Sequence, residues 1–320
     1  MLFSVIIPVH NRPMEIQELL ESLSMQTYKN FEVIIIEDGS LFTCEDVLYD
    51  YKSLLDLSYH IVENMGQGFA RNYGMKLAKG DYFVLFDSDC IIPPQYLELL
   101  SNALSSRELD AHGGPDDAGQ DYSIFQKAIN YSMTSLLTTG GIRGKLKDPG
   151  KYQARGYNMG LSKKAFERSG GFLDPNRGED IELSIRLKKM GFKLELIEEA
   201  FVYHKRKNTW KSFFKQSFSF GENRINVGRF HPGAVKLVHI LPSIFLMGWM
   251  FSITLFLFGN KFFLSGILIY LVWMVLVFLD ATLQNKSVRV GILSVLTSFS
   301  QLSLYGAGLI SEAIKKIFKG

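Results

Sequence analysis

The chain has 320 residues, which is enough for one large domain or two smaller ones with a substantial hydrophobic core. Its formal net charge of +3 is too small to suggest a nucleic-acid-binding protein, and its polar part has no basic run interleaved with aromatic residues. The two cysteines, Cys44 and Cys90, form neither a CxxC pair nor a zinc spacing, which fits a reducing compartment.

The first ninety residues alternate between strand and helix patterns. Residues 3–9 and 31–36 are continuous apolar runs, typical of strands covered on both faces, and a helix between them begins near Pro13. This unit predicts a parallel pair of strands joined by a right-handed crossover. The apolar start lacks a basic leader, so it indicates a first strand and not a signal peptide. Three elements follow: a strand near residues 58–62, a helix near 70–77 and a strand at 82–86.

The remaining polar part of the chain is harder to interpret. Helix patterns occur near residues 122–137, 162–168 and 181–190. Strand patterns occur at residues 192–196 and 200–203. Between residues 110 and 155 the chain is rich in Gly, Asp and Thr, and outside the first of these helices its structure cannot be predicted.

Formal charge almost disappears in the C-terminal third. Residues 237–258 and 262–283 contain few charges, and each is long enough to cross a bilayer core of roughly 30 Å. We therefore predict a transmembrane helical hairpin. Residues 290–310 have the length of a third span but many Ser, Thr and Gly, so this segment crosses the bilayer, re-enters it or lies at its surface. Basic residues flank the hairpin on the side of the catalytic domain, and others follow in the tail. This charge bias favours the same side of the membrane for both groups.

An aromatic segment precedes the hairpin. Trp210, Phe213, Phe214 and Phe218 fall near one face of a helix, and basic residues fall elsewhere on it. This pattern is typical of a helix that lies at a membrane surface. The alternative for the apolar segments as a group is a set of helices buried in a soluble core.

Asp87-Ser88-Asp89 stands directly after the strand predicted at residues 82–86. Ligands of open α/β sheets bind beyond the carboxyl ends of the strands, so both carboxylates are expected in one cleft. Two carboxylates can share a hard cation such as Mg²⁺ or Mn²⁺, which also binds substrate phosphates. The alternative is an ordinary turn, in which Asp is common.

Several motifs occur together in the order of a known family. They are Val5-Ile6-Ile7-Pro8-Val9-His10-Asn11-Arg12, Glu37-Asp38-Gly39-Ser40, Asp87-Ser88-Asp89, Gly178-Glu179-Asp180 and His204. Over about residues 1–210 the chain resembles the family 2 glycosyltransferases. The resemblance implies a GT-A fold, a Rossmann-like mixed α/β sheet, followed here by a membrane helical region. It also implies a nucleotide-sugar donor, a divalent cation (Mn²⁺ or Mg²⁺) and inversion of the anomeric carbon.

The resemblance also assigns the donor site. Asp38 would accept the imide N–H of a uracil or thymine ring, and His10 stands where the family often has a stacking Tyr. The other implied donor contacts are Pro8, Asn11, Arg71, Asp87 and Asn158. Arg71 lies near the start of a helix, where an anion is favoured, although an ordinary surface arginine would look the same.

The remaining assignments concern the cation and the proton. Asp87, Asp89 and His204 would hold the cation, with a surface histidine as the alternative for His204; Lys205 and Arg206 are candidate phosphate contacts. Inversion needs a base opposite the leaving group, and Asp180 is the candidate, with Glu179 orienting the acceptor. An acidic pair that opens a helix also has a purely structural explanation in the helix dipole.

These observations predict a membrane enzyme of four parts: a catalytic domain at residues 1–208, an interfacial helix at 209–232, a membrane region at 233–311 and a basic tail at 312–320. We expect it to transfer a sugar, from a UDP-sugar by preference, to a lipid-linked or membrane-proximal glycan, with its catalytic domain on the cytosolic side of the cell membrane. The alternatives are a sugar-phosphate nucleotidylyltransferase, which would need a Gly-rich loop after the first strand, and a non-catalytic membrane scaffold.

Overall fold

The computed structural model describes residues 1–117, 122–140, 148–205 and 209–319. The chain divides into two compact units. The sheet unit comprises Met1–Gly119 and Leu146–Lys205, and the helical unit comprises Gln120–Lys145 and Arg206–Gly320.

The sheet unit contains two β-sheets. Its strands in chain order are β1 (Phe3–Val9), β2 (Phe31–Asp38), β3 (Leu57–Val62), β4 (Tyr82–Phe86), β5 (Cys90–Ile91), β6 (Ala111–Gly113), β7 (Asp116–Asp117), β8 (Asn158–Ser162), β9 (Leu194–Leu196) and β10 (Val202–His204). Seven of them form the main sheet in the order β3-β2-β1-β4-β8-β6-β9, and the short sheet has the order β5-β10-β7.

The predicted parallel arrangement is present on one side of the main sheet. Strand β1 pairs in parallel with both β2 and β4, and β2 pairs in parallel with β3. Every side chain of β1, β2 and β4 is buried, as their continuous apolar sequences predicted. Strand β8 pairs antiparallel with β4 and β6, which makes the sheet mixed. Tertiary contacts reveal β8, because the alternation of Met159 and Leu161 in Asn158–Ser162 is too short to predict a strand.

The described residues contain twelve α-helices in the two units. They are α1 (Pro13–Ser24), α2 (Glu45–Leu48), α3 (Gln67–Leu77), α4 (Tyr96–Arg107), α5 (Ile124–Thr134), α6 (Leu136–Thr139), α7 (Lys163–Ser169), α8 (Glu179–Lys189), α9 (Trp210–Phe230), α10 (Leu237–Leu257), α11 (Phe263–Asn285) and α12 (Val288–Lys319). Two 3₁₀ turns, Tyr49–Tyr51 and Pro149–Lys151, complete the described elements.

Helix α4 was not predicted from the sequence. It buries Tyr96, Leu97, Leu100 and Leu104, whose spacing is that of one helical face. Its Tyr96 hydroxyl lies 3.1 Å from His112 Nε2, and the Tyr82 hydroxyl lies 2.9 Å from His112 Nδ1. Burial lowers the pKa of His112 to about 3, so this histidine is a neutral hydrogen-bonding partner within the core.

Three helices of the helical unit are long and apolar enough to cross a membrane. They are Leu237–Leu257, Phe263–Asn285 and Val288–Phe318. The third continues as one helix through the segment that the sequence left undecided. Much more of it is buried within the protein than of the other two, which explains how its Ser, Thr and Gly residues are accommodated.

Helix α9 packs closely on α12. A Cβ atom added at Gly221 would collide with the carbonyl oxygen of Tyr305, and one at Gly308 would collide with that of Phe218. Phe213 is fully buried against Ile129 of α5, whereas Trp210 and Phe214 remain partly exposed. Part of the aromatic face that suggested a membrane-surface helix is therefore used inside the protein.

Helix α5 belongs with the C-terminal helices, although a division at residue 208 would assign it to the catalytic domain. The Tyr131 hydroxyl donates to Asp280 Oδ2 at 2.6 Å, and the Ser132 hydroxyl donates to Gln301 Oε1 at 2.8 Å. The domain boundary is thus more complex than a single cut, because α5 leaves the sheet unit in mid-sequence.

Candidate active site

The candidate site lies at the carboxyl ends of β1, β2 and β4. These strands are parallel neighbours, so the residues that follow them meet at one edge of the sheet. His10 follows β1, Asp38 ends β2, and Asp87 follows β4. The expectation that strand ends would bring these motifs together agrees with this placement.

Asp38 is buried, and its side chain is held by the segment that connects β3 to α3. Its Oδ1 accepts a hydrogen bond from the Met65 main-chain N–H at 2.7 Å. Its main-chain oxygen lies 2.7 Å from His10 Nδ1 and accepts from Asn64 Nδ2 at 3.0 Å. The exposed His10 ring is therefore held beside Asp38.

Asn11 shapes the loop after β2. Its own backbone has a φ of 54°, a conformation that Asn tolerates better than most residues. Its Oδ1 accepts from the main-chain N–H groups of Leu41 at 2.7 Å and Phe42 at 3.1 Å. Pro8 lies buried within β1, opposite Ile36. In the described structure Asn11 therefore orders a loop, and Pro8 sits within the sheet that carries the site.

Arg71 is a buried charge that joins two acids. It is 0% exposed, its Nη2 donates to Asp87 Oδ1 at 2.5 Å, and its Nη1 lies 3.5 Å from Glu179 Oε1. The guanidinium carbon lies 5.5 Å from the centre of the Phe172 ring. A Cβ at Gly156 would come within 2.7 Å of Nη1, so glycine makes room for the guanidinium. Arg71 is thus not the surface arginine that its sequence position allowed.

Glu179 is the other partner of Arg71. Burial raises the pKa of Glu179 to about 7, and the neighbouring Asp180 charge adds to this effect. Arg71 and the Gln67 side chain, which donates to Glu179 Oε1 at 2.6 Å, oppose the increase. Glu179 can therefore gain or lose a proton near neutral pH.

Asp180 opens helix α8 and remains partly exposed. Its Oδ2 accepts from the Gly156 N–H at 3.2 Å, and its Oδ1 accepts from the Ile181 N–H at 2.7 Å. Burial alone would lower the pKa of Arg155, but neighbouring charges, Asp180 foremost, raise it overall. Asp180 is therefore a carboxylate held in a fixed orientation next to a cation.

A second cluster surrounds Asp89. Its Oδ1 lies 3.1 Å from His204 Nε2, and Arg12 Nη1 donates to its Oδ2 at 2.6 Å. Asp89, Cys90 and His204 each offer one ligand atom, and these atoms lie within 4.8 Å of one another. The predicted partnership of Asp89 with His204 agrees with this geometry. Asp87 points its Oδ1 at Arg71 instead, so it is the less direct candidate ligand.

His204 has a supporting carboxylate on its other side. Its Nδ1 lies 4.0 Å from Asp116 Oδ2, and its ring stacks on Tyr157 with 4.6 Å between ring centres. The Tyr157 hydroxyl donates to Asp116 Oδ1 at 2.9 Å. At 4.0 Å the approach of Asp116 to His204 is a charge contact and not a hydrogen bond, and it places a carboxylate beside the ring, where carboxylates commonly support histidine ligands of metals.

Asn158 is the first residue of β8 and lies in the core of the sheet unit. It is fully buried, its Nδ2 donates to the Ala200 main-chain oxygen at 2.8 Å, and its Oδ1 accepts from the Tyr96 hydroxyl at 2.5 Å. These bonds engage both ends of the amide within the fold. A supporting role for Asn158 agrees better with this geometry than contact with a donor.

Of the two basic residues after His204, Lys205 lies within the described residues. Lys205 forms an ion pair with Glu18 of α1, so its charge already has a partner. Arg206 lies outside the described residues.

Several site residues were missed in the sequence. They are Arg12, Gln67, Cys90, Asp116, Arg155 and Tyr157. Each acts through a partner far along the chain, such as Asp89 for Arg12 and His204 for Asp116. The sequence could have indicated only two of them, because each stands next to a motif residue. Arg12 directly follows His10-Asn11, and Cys90 directly follows Asp89.

Known proteins resemble this chain in sequence. The family model "Glycosyl transferase family 2" matches residues 4–170, which is more than half of the chain. An uncharacterised glycosyltransferase of Rickettsia typhi is 38% identical over 104 residues, which cover 32% of this chain and 32% of the relative. The glycosyltransferase AglE of Haloferax volcanii is 24% identical over 259 residues, covering 77% of this chain and 81% of the relative. The match thus spans about a third of the first of these relatives and most of the second.

A solved structure supports the fold. The mannosyltransferase PcManGT from Pyrobaculum calidifontis, determined in complex with GDP-Man and Mn²⁺, is 15% identical with a TM-score of 0.62. The superposition covers 99% of this chain and 87% of that one. This likeness establishes the GT-A type of mixed sheet predicted from the sequence. Together with the family match, it makes the nucleotidylyltransferase and scaffold alternatives unnecessary. The chain belongs to the family 2 glycosyltransferases and is a glycosyltransferase of the GT-A fold.

Proposed function

We propose that this glycosyltransferase moves a sugar from a nucleoside-diphosphate donor, a UDP-sugar by preference, to a lipid-linked or membrane-proximal glycan, with inversion at the anomeric carbon. One observation carries the proposal. Asp38, Asp89 and Asp180 lie in the unit whose parallel strands end at one edge, and each has a separate environment suited to a separate task.

Base recognition is assigned to Asp38 and His10. A carboxylate held by the Met65 N–H keeps its other oxygen for an external N–H donor, such as the imide of uracil. The neighbouring imidazole offers a flat face on which a base can stack. PcManGT was solved with GDP-Man, so a guanine donor, whose ring N–H could meet the same carboxylate, is the first alternative.

Asp89 and His204 are the residues that would hold a divalent cation. Asp89 Oδ1 and His204 Nε2 are 3.1 Å apart, so an oxygen and a nitrogen donor already face one another. Asp87 lies near them and keeps one oxygen that Arg71 does not engage. When bound, the cation neutralises charge that grows on the departing diphosphate. PcManGT, of the same fold, was solved with Mn²⁺.

Asp180 is proposed as the base that accepts the proton of the acceptor hydroxyl. The Gly156 and Ile181 N–H groups fix its orientation, and its partial exposure leaves it open to an acceptor. A base on the side of the sugar opposite the leaving group gives inversion. Glu179, which the sequence assigned to orienting the acceptor, is buried by comparison and contacts Arg71 and Gln67, so we propose that it supports the site from behind Asp180.

The membrane setting rests on the helical unit. Three helices have the length and composition of transmembrane spans, and a membrane-bound enzyme meets its acceptor at the bilayer surface. We place the sheet unit on the cytosolic side of the cell membrane, since Lys236, Lys286 and Arg289 flank the hairpin and outnumber Lys261 in its loop, the bias that the positive-inside rule describes.

The test is a binding and hydrolysis screen with the full chain in detergent or nanodiscs. UDP-, GDP- and dTDP-sugars are offered with and without Mn²⁺, and Asp38→Asn is compared with Asp50→Asn, which alters an exposed acid. We expect one nucleotide class to bind in a cation-dependent manner and Asp38→Asn alone to weaken it. If no nucleotide sugar binds, the proposal fails, and a lipid-phosphate sugar becomes the first alternative donor.

A further inference from the structure

Cys90 is a buried thiol at the edge of the proposed cation site. Its sulfur lies within 4.8 Å of the ligand atoms of Asp89 and His204, and the side chain is only 1% exposed. Among the residues that the structure describes, Asp89, Cys90 and His204 form the group of side chains whose ligand atoms are close enough to hold one metal ion. Cys44, the other cysteine, is also buried but takes no part in it.

Backbone pairing fixes the thiol relative to the imidazole. Cys90 of β5 and His204 of β10 are direct partners in an antiparallel ladder. Side chains that stand directly opposite in such a ladder share one face of the sheet and lie close together. The Cys90–His204 pairing is therefore built into the short sheet and does not depend on a chance rotamer.

Surrounding groups orient both side chains. The Cys90 thiol donates to the Tyr157 main-chain oxygen at 3.5 Å, and the Tyr157 ring stacks on His204. The same tyrosine holds Asp116 behind the His204 ring. Outer groups of this kind orient metal ligands and strengthen their binding.

The donor set has a chemical preference. Carboxylate oxygen alone suits Mg²⁺ or Mn²⁺, whereas a thiol and an imidazole favour softer ions. Cysteine sulfur, histidine nitrogen and the oxygen of Asp or Glu are the side-chain ligands that Zn²⁺ takes. A site with one of each should discriminate between hard and soft cations in a way that an acidic pair does not.

We propose that Cys90 is a third protein ligand at this site, together with Asp89 and His204, and that it makes the site bind Zn²⁺ or Co²⁺ in preference to Mg²⁺. The inference rests on the proposed cation site. On binding, the metal–sulfur bond forms as the thiol proton passes to solvent, and no oxidation or reduction takes place. Zn²⁺ would thus compete with the harder cation that supports transfer.

Cobalt gives a readout that is independent of activity. Thiolate bound to Co²⁺ produces a charge-transfer band in the near ultraviolet, whereas carboxylate and imidazole do not. We expect the band when the detergent-solubilised full chain is titrated with Co²⁺, and we expect Cys44→Ser to keep it. Cys90→Ser should lose it. A band that persists in Cys90→Ser, or is lost in Cys44→Ser alone, overturns the assignment.

Competition between Zn²⁺ and Mn²⁺ for the site measures the affinity for each ion. Cys90→Ser should weaken Zn²⁺ binding by at least about tenfold, the lower bound for losing even an outer-shell partner, while Mn²⁺ binding changes little. Equal Zn²⁺ affinity in Cys90→Ser and the parent protein contradicts the inference.

A variant that keeps Cys90 guards against a folding defect in Cys90→Ser. In Cys44→Ser, Cys90 is the single remaining thiol. X-ray absorption of its zinc complex should contain sulfur scattering at about 2.3 Å. Zinc bound without sulfur refutes the role of Cys90 and leaves the proposed function intact. If neither Zn²⁺, Co²⁺ nor Mn²⁺ binds, the cation site of the proposed function fails as well.

Discussion

A buried arginine of the sheet unit and a carboxylate of the helical unit are satisfied in different ways. In the sheet unit, buried Arg71 is matched by the acids Asp87 and Glu179. In the helical unit, Asp280 lies in a candidate membrane span and meets the neutral groups of Tyr131 and Gln284. Full charges fix geometry strongly but make each partner dependent on the other. Neutral partners such as those of Asp280 hold helices together with a smaller penalty for removing one of them.

The largest expected effect is on chemistry in the sheet unit. Asp180→Asn removes the proposed base but leaves an oxygen for one of the two N–H groups that orient it. We expect the transfer rate to fall by about 10²- to 10⁴-fold with nucleotide binding and membrane association preserved. The matched control, Asp50→Asn, changes an exposed acid and should be fully active. Full activity in Asp180→Asn would remove this residue from the mechanism.

Arg71→Met tests whether the sheet unit depends on its buried charge. The change leaves Asp87 and Glu179 without their shared cation, and it should lower the free energy of unfolding by about 3–5 kcal/mol. Arg71→Lys keeps the charge but not the two-armed geometry, so its loss should be smaller. Thermal denaturation of the full chain measures both. Equal stability of Arg71→Met and the parent protein would mean that the ion pairs add nothing to the fold.

Glu179 predicts a pH dependence of stability. Its pKa is raised from 4.5 to about 7 in the folded protein, so between these values the unfolded chain has released a proton that the folded chain retains. The contribution of Glu179 to stability therefore decreases as the pH rises from about 4.5 to about 7. Melting temperatures at about pH 5 and about pH 8 should differ less in Glu179→Gln than in the parent.

The control for this experiment is Glu198→Gln, an exposed position that should leave the pH dependence unchanged. Identical pH slopes in Glu179→Gln and the parent would show that this carboxyl titrates at its ordinary value in both states.

Asp116→Asn tests the support behind His204. Replacing this carboxylate should weaken cation binding by about 10- to 100-fold, as for other outer-shell partners of metal ligands. Tyr157→Phe keeps the ring that stacks on His204 and removes the hydroxyl bond to Asp116, so its effect should be weaker. Calorimetric titration with Mn²⁺ measures both. Unchanged affinity in Asp116→Asn would mean that His204 needs no orienting partner.

The smallest effect is expected in the helical unit. Asp280→Asn should cost about 0.6–1.7 kcal/mol, the range for hydrogen bonds between membrane helices, because Tyr131 can still donate to the amide oxygen. Combining it with Tyr131→Phe in a double-mutant cycle isolates the pair. A loss as large as that of Arg71→Met would contradict the contrast between Arg71 and Asp280.

Prediction from sequence succeeded where the residues of an element carry the signal themselves. The strands at residues 3–9, 31–36 and 82–86 are apolar throughout, and the parallel pairing of the first two followed from the crossover rule. The parallel pairing of the third with β1 is known from the structure. Strand β8 alternates Asn, Gly and Ser with two apolar residues, too short a pattern to predict a strand, and it is stabilised by β4 and β6 on either side. Helix α4 had a visible apolar face that was overlooked.

The candidate site divides in the same way. Asp38, Asp87, Asp89 and Asp180 stand in motifs next to strand or helix ends, where short-range sequence is informative. The tasks of Arg71, Asn158 and Asp116 depend on partners that are distant in sequence. A hydrogen bond over 42 positions, such as that from Asn158 to Ala200, has no local sequence signature.

The sequence by itself determined the family motifs, the parallel strand pair and the two apolar helices of the hairpin, because hydrophobic periodicity and strand-end acids are local properties. The third apolar helix was left undecided, and the structure describes it as one continuous helix. The tertiary structure alone decided that Arg71 is a buried bridge, that Cys90 faces His204 and that α5 packs with the C-terminal helices. The physical reason is that burial and charge pairing arise from the whole chain's packing, so a residue's environment is unknown until its distant neighbours are in place.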